Sequence, residues 1–217
     1  MKISILCSDA GHPIFPWLAS WADRKSGAHE VEIVQKKGEL SGGDVLFLIS
    51  CHEVIQQDSR NRYKATLVIH ASDLPLGRGW SPHIWQILEK KRLIKVTLLD
   101  AADPVDSGAI WTQADLRIED HETCDEINSK LFDVELSLMD FAVRNWGSIQ
   151  PRPQDEREPS TYPRRLPANS RIDPEKSIAE QFDLLRVSDP KRFPAFFELH
   201  GHRYLIHIAK DVQNAEK

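Results

Sequence analysis

Short apolar runs alternate with amphipathic stretches through the first part of the chain. Residues 2–6 (KISIL), 44–49 (DVLFLI), 66–70 (TLVIH) and 94–99 (IKVTLL) are rich in β-branched residues and bounded by Gly, Asp or Lys. They read as buried, mainly parallel strands, and residues 31–34 (VEIV) as a further one. Between them, Ile14–Arg24 carries Trp17, Leu18 and Trp21 at helical spacing. Pro82–Lys90 carries Ile84, Trp85, Ile87 and Leu88, with Ser81 as N-cap and Pro82 at the first helical position. Strand, helix, strand in this order predicts right-handed βαβ units and an α/β sheet.

The longest helix is expected from about Asp125 to Asn145, where Ile127, Leu131, Val134, Leu138 and Phe141 fall on one face. Thr123 and Glu126 are spaced for a capping box at its start. Beyond it the pattern stops. Six of the thirteen prolines stand between Pro151 and Pro174. Each removes a donor and restricts its neighbour, so this stretch reads as an extended surface connection. Asp173-Pro174 then suggests an N-cap and first helical residue, opening a helix with Ile178, Phe182 and Leu185 inward. Ala195–Leu199 and Arg203–Ile208, joined by His200-Gly201-His202, read as a β-hairpin. Three segments follow from this: a core over 1–150, a Pro/Arg-rich connection over 151–174, and a helix-and-hairpin appendage over 175–217.

Composition narrows the classes. The 217 residues hold 28 Lys and Arg against 33 Asp and Glu, a net charge of −5. That argues against a protein that coats nucleic acid, which needs clustered cations. The average hides one basic region: Arg144 to Arg171 holds six arginines and three acids, a local balance of +3. That connection either faces an anionic ligand or is simply solvated. No apolar run approaches the roughly 20 residues that span a bilayer, and the first residues read as a strand, not a signal peptide. Cys7, Cys51 and Cys124 are widely spaced, as in a reduced, cytoplasmic protein without structural zinc.

Common cofactor motifs are missing. The first strand leads into Cys7-Ser8-Asp9-Ala10-Gly11-His12, with no G-x-G-x-x-G, and neither a P-loop nor a G-x-S-x-G elbow occurs. Ser8, Gly11 and His12 are candidates for an anion held by backbone N–H groups at a helix start, or form only a turn. His200, His202 and His207 lack a carboxylate at ligand spacing, so no metal site is expected. His70 ends a buried strand, and Asp106 follows another. In open α/β sheets the carboxyl edge of the strands is where ligands bind. A His and an Asp delivered to that edge make an acid/base pair, the Asp orienting the imidazole.

One set of residues carries a resemblance: His70-Ala71-Ser72-Asp73-Leu74-Pro75, Arg78-Gly79, Pro82-His83-Ile84-Trp85, Val96-Thr97 and Asp106-Ser107-Gly108. In order and spacing it resembles the formyltransferases that use 10-formyltetrahydrofolate, and the run Gly77–Trp85 looks most like small nucleotide-sugar N-formyltransferases of pseudaminic-acid-type pathways. The later Ile172-Asp173, Leu185-Arg186 and Phe193-Pro194-Ala195-Phe196 are similar to the part beyond the catalytic core in sugar N-formyltransferases. The resemblance implies a Rossmann-like formyltransferase fold, followed by a short helix and hairpin. Asn, His and Asp stand at that family's reaction centre; His70 and Asp106 match the last two, but the Asn position holds Val68. Ser50, His52 and Ser72 are alternative donors near the same edge.

By the same resemblance, folate rests against Ser50, Cys51, His52, Glu53, Val54 and Ile55 and against Ala101–Val105, including Ala102, Asp103 and Val105. Ser8, His12, Ser72 and Arg78 are the candidate contacts for the sugar or its diphosphate. Trp80 and Arg186 either support the site or belong to the core. The implied reaction moves a formyl group to the 4-amino group of a UDP- or dTDP-linked amino-dideoxy sugar, without metal, nucleic acid or membrane; a homodimer is an open assembly. Three other readings stand beside it: a non-catalytic binder of nucleotide sugar or folate, a methionyl-tRNA formyltransferase-like enzyme, and a hydrolase. From the length, no added tRNA-binding domain is expected.

Overall fold

Burial on both faces turns the apolar runs into neighbouring strands of one sheet. The computed structural model describes residues 1–211. In chain order its elements are β1 (Lys2–Leu6), α1 (Phe15–Lys25), β2 (Glu30–Val34), β3 (Gly43–Leu48), α2 (Gln57–Arg60), β4 (Tyr63–His70), β5 (Arg78–Gly79), α3 (Pro82–Leu88), β6 (Leu93–Asp100), β7 (Ile110–Arg117), α4 (Cys124–Arg144), β8 (Thr161–Tyr162), α5 (Phe182–Arg186), β9 (Ala195–Leu199) and β10 (His202–Ile206). Six strands form the sheet in the order β2-β1-β3-β4-β6-β7. The first four run parallel, and the order places β1 inside the sheet, as in Rossmann-like folds.

Alternate residues serve two cores. Ile3, Ile5, Val45, Phe47 and Leu67 pack with Leu18 and Trp21 of α1 and Leu138 and Met139 of α4. On the other face Leu6, Leu46 and Leu48 meet Leu40, Ile55 and Tyr63. Truncating one of these sealed leucines to Ala costs about 2–5 kcal/mol. The α4 capping box is present: Glu126 Oε2 accepts the Thr123 backbone N–H at 2.9 Å. The turn of the β9–β10 hairpin places His200 at φ +51° and Gly201 at φ +78°, a type I′ geometry that suits a two-residue hairpin. Asp183 anchors α5 to the sheet domain. It is buried and pairs with Lys90, Arg92 and Arg186. Burial alone pushes this carboxyl up, but the bonds from Lys90 and Arg186 hold it below its ordinary value.

Several expectations change. β6 is antiparallel to β4, not part of a parallel βαβ unit. A run buried on both faces carries no record of its direction. The edge strand β7, antiparallel to β6, was not expected, because its Thr112, Gln113 and Asp115 break the apolar pattern. No helix opens at Asp173-Pro174. There the Asp173 carboxylate accepts the Glu175 N–H, and Gln181 bonds back to Asp173, so turns persist until α5. Ile178 is accordingly exposed. Ser81 precedes α3 in a left-handed conformation (φ +47°) and its side chain caps nothing. The Pro-rich connection is not wholly irregular: β8 pairs with β5, and Pro167–Ser170 form a 3-10 turn. Residues 212–217, the end of the expected appendage, lie outside the described residues. No helix among those described is long and apolar enough to cross a membrane.

Candidate active site

His70 closes β4 and sits in register with Thr97 of β6, whereas Asp100, the end of β6, lies opposite Leu67. A carboxylate carried straight off β6 would therefore point away from His70. The loop after β6 makes the correction. Ala101 N–H donates to Thr66 O at 2.7 Å, and Asp100 N–H to Ala109 O at 2.9 Å, so the loop leaves and returns at one level. Gly108 allows the closure: a Cβ there would stand 1.8 Å from Asp100 O. Asp106 adopts φ +61°, a conformation uncommon outside Gly, Asn and Asp.

This loop brings Asp106 Oδ1 to 3.6 Å from His70 Nδ1, and both side chains are buried. Asp106 Oδ2 accepts the Gly79 N–H at 3.0 Å. His70 Nε2 lies 2.8 Å from Gly77 O. A carbonyl only accepts, so Nε2 carries a hydrogen and Nδ1 is the nitrogen that faces the carboxylate. Backbone groups of the loop after β4 thus hold both members of the pair. Gly77 (φ +72°) and Gly79 (φ +98°) make that loop; a Cβ on Gly79 would meet Tyr162 O at 2.4 Å.

The Pro-rich connection crosses this loop. Ser160 accepts the Gly77 N–H through its hydroxyl and the Arg78 N–H through its carbonyl, both at 2.9 Å. Gln154 Nε2 donates to Asp106 O at 2.8 Å and to Gly108 O at 3.0 Å, while its Oε1 accepts from Arg78 Nη2 at 2.8 Å. Arg78 is thereby held by the connection, and its Nε is buried without a partner. Ser72 is sealed, its hydroxyl also unpartnered. Val68, at the position of the missing Asn, packs against Leu74, Leu99 and Ile110.

The two loops expected to meet a folate are tied together. Buried Arg60 donates to Ile55 O at 2.9 Å and pairs with Asp103, whose carboxyl its hydrogen bond holds below the ordinary range. Val54 and Val105 are exposed, one on each loop. Ile55 belongs to the core, Ala102 is half-buried, and Glu53 accepts the Lys37 N–H at 3.0 Å. His52 lies beside Trp80 with ring centroids 5.8 Å apart.

The loop after β1 meets the same edge. Ser8 accepts the His52 N–H at 3.1 Å and donates to Cys51 Sγ at 3.5 Å. His12 Nδ1 accepts the Ile14 N–H, and Nε2 lies 3.2 Å from Ser50 Oγ. Burial, assisted by Arg192, lowers His12 to about 4. It is neutral near pH 7 and brings no charge to a diphosphate. Burial lowers His83 likewise to about 4 and raises Glu135 to about 8. Arg186, fully buried, holds Asp183 and the carbonyls of Glu119 and Glu122, so its role is structural.

Sequence reasoning missed Arg60, Gln154 and the carbonyl of Gly77. Arg60 and Gln154 act on residues more than 40 positions away, and no local spacing announces them. Gly77 was visible only as one of the turn glycines. Among the described residues no group of three or more His, Cys, Asp or Glu is arranged to hold a metal ion, the hairpin histidines included.

Residues 5–143 match the Formyl transferase family, and the chain belongs to it. It is 30% identical over 142 residues to the methionyl-tRNA formyltransferase of Streptococcus agalactiae serotype III (strain NEM316), which covers 64% of this chain and 45% of that protein. The chain spans about half the length of the curated relatives it matches. Three solved structures share its fold. A methionyl-tRNA formyltransferase from Clostridium thermocellum superposes with a TM-score of 0.83 at 20% identity, over 99% of this chain and 95% of that one. HypX from Aquifex aeolicus, in complex with tetrahydrofolic acid, gives 0.75 at 21%, over 96% and 37%. A 4-N formyltransferase from Francisella tularensis gives 0.73 at 17%, over 95% and 96%.

Proposed function

We propose that this protein transfers a formyl group from 10-formyltetrahydrofolate to the 4-amino group of a UDP- or dTDP-linked amino-dideoxy sugar, in the cytoplasm. The observation that carries the reading is the buried His70–Asp106 pair, beside the joined loops 50–55 and 101–105. The unprotonated sugar amine attacks the formyl carbon and a new C–N bond forms. His70 stabilises the resulting oxyanion. Asp106 orients His70 and accepts the amine proton. The bond from carbon to N10 then breaks and N10 takes up a proton, releasing tetrahydrofolate. The Nε2 hydrogen that would meet the formyl oxygen is bonded to Gly77 O, so that bond is exchanged for one to the formyl oxygen as substrate enters.

The division of labour follows. Residues 1–150 carry the chemistry, 151–174 brace it, and the described residues from 175 to 211 form the appendage. Ser50–Val54, Ala102, Asp103 and Val105 face the folate, with Ile55 in the core beneath that loop. Ser8, His12 and Arg78 face the sugar side, His12 as a neutral hydrogen-bonding group. Sealed Ser72 supports the loop after β4. The net charge of −5 favours a small acceptor over tRNA. Incubation with 10-formyltetrahydrofolate and a panel of UDP- and dTDP-4-amino sugars tests this, read as the mass gain of one formyl group on one sugar. Folded protein that binds folate yet formylates no sugar would sink the reading.

One observation favours a second reading, a non-catalytic binder of folate or nucleotide sugar. Val68 is packed among apolar side chains where the family carries an amide, and losing one oxyanion donor costs about 10²–10³ in rate. Calorimetry with tetrahydrofolate and with the nucleotide sugars separates the two: binding without turnover supports the second.

A further inference from the structure

His70 and Asp106 are held where two separate loop segments meet, 77–79 and 106–108. Asp106 sits at φ +61°, and Gly77 and Gly79 also have positive φ. Gly and Asp reach such conformations at little cost, so what fixes these turns is the set of bonds made to them. One side chain from the Pro-rich connection bridges both loops. Gln154 gives two hydrogens to the carbonyls of Asp106 and Gly108 and receives one from Arg78. Both ends of its amide are used, with opposite polarity, so neither an acid nor an alkyl side chain reproduces the set.

We propose that Gln154 is a positioning residue that holds the Asp106 turn against His70 and couples it to Arg78. This rests on the formyl-transfer reading above. Loss of the amide frees two carbonyls of the turn, and the carboxylate drifts from the imidazole. Displacement of a reacting group by about 1 Å costs on the order of 10²-fold in rate.

Arg157 is the control, since it belongs to the same connection but bonds to Asp73, Asp155 and Leu74 O, away from the pair. Gln154→Ala and Gln154→Glu are each expected to lower kcat by about ten- to a hundredfold; KM for 10-formyltetrahydrofolate stays within about twofold in both, and KM for the sugar does so only in Gln154→Glu, which keeps the acceptor for Arg78. Gln154→Glu fails because it keeps the acceptor for Arg78 and loses both donors. Arg157→Ala keeps its kcat. In parallel, the side-chain ¹⁵N resonance of His70 Nδ1 moves in both Gln154 variants and stays put in Arg157→Ala. Wild-type kcat in Gln154→Ala, a loss shared equally by Arg157→Ala, or an unmoved His70 resonance overturns the proposal. Should the wild type itself prove inactive, the transfer reading fails alone, and the resonance still decides whether Gln154 sets the pair.

Discussion

The two halves of the central sheet bring their residues to one edge by different routes. In the half made of β2, β1, β3 and β4 the strands are parallel, and each hands its C-terminal loop to that edge. Ser8 and His12 follow β1, Ser50–Ile55 follow β3, and His70 ends β4. In the half made of β6 and β7 the direction alternates. The end of β6 lies beside Leu67, and Asp106 reaches His70 only through a loop that doubles back. Placement in the parallel half therefore comes from strand direction. In the antiparallel half it comes from particular bonds and one glycine without room for a side chain. The second kind is the easier to disturb.

Three measurements press on that difference. The largest effect is expected at the pair itself. His70→Ala and Asp106→Ala should each lower kcat by about 10²–10⁴-fold, the usual scale of acid/base catalysis, with the fold intact. As partners in one unit they should be non-additive, so the double variant is scarcely worse than either single one. Full turnover in either variant, or losses that multiply, would remove the claim that both halves converge on one catalytic unit.

A pair of glycines separates the halves next. Gly108→Ala forces a Cβ to 1.8 Å from Asp100 O, and Gly43→Ala forces one to 2.9 Å from Lys2 O. Each should cost roughly 1–3 kcal/mol of stability, the scale of overpacking, seen as a lower denaturant midpoint. Only Gly108→Ala should also lose turnover in the fraction that stays folded, because only it moves the Asp106 turn. Equal residual activity in the two variants would show that the loop tolerates displacement.

The smallest effect concerns pH. His12 and His83 stand at about 4 in the folded protein against 6.5 unfolded, from burial. Below 6.5 the unfolded chain takes up protons that the folded one refuses, so stability falls as pH drops toward 4. Glu135 acts in the opposite sense. Its burial raises it from 4.5 to about 8, so its cost is absent below 4.5 and grows as pH rises to 8. Part of the Glu135 side chain remains accessible, which keeps the effect modest. Melting temperature followed across the neutral range should fall on both sides. Glu135→Gln should flatten the fall above pH 6.5 and steepen the fall below it, where the window of Glu135 overlaps that of the histidines; an unchanged fall above 6.5 would mean that this carboxyl ionises freely.

Legibility follows the same divide. The strands of the parallel half, the α4 helix and the β9–β10 hairpin are written in local patterns: uncharged β-branched runs, a three-to-four repeat with its capping box, and a Gly-containing turn. His70 was legible because it ends such a run. Asp106 was legible as a residue through the Asp-x-Gly resemblance, but its route was misread, since direction does not show in a doubly buried strand. The helix expected at Asp173 shows how a sound start signal loses to a competitor. The Asp173 carboxylate turns to Glu175, and Gln181 ties up the backbone that the helix would have used.

By itself the sequence determined the class of fold and the family to which the chain belongs, and it put forward His70 and Asp106 as the candidate pair. Those are properties of spacing and of local burial, which act over one element. The tertiary structure alone decided the direction of β6, the clasp of Arg60 on two loops, the neutrality of His12 and the reach of Gln154 across 48 residues to Asp106. Each of these depends on which distant groups share a buried volume, and a polar group there must take whatever partner packing brings to it.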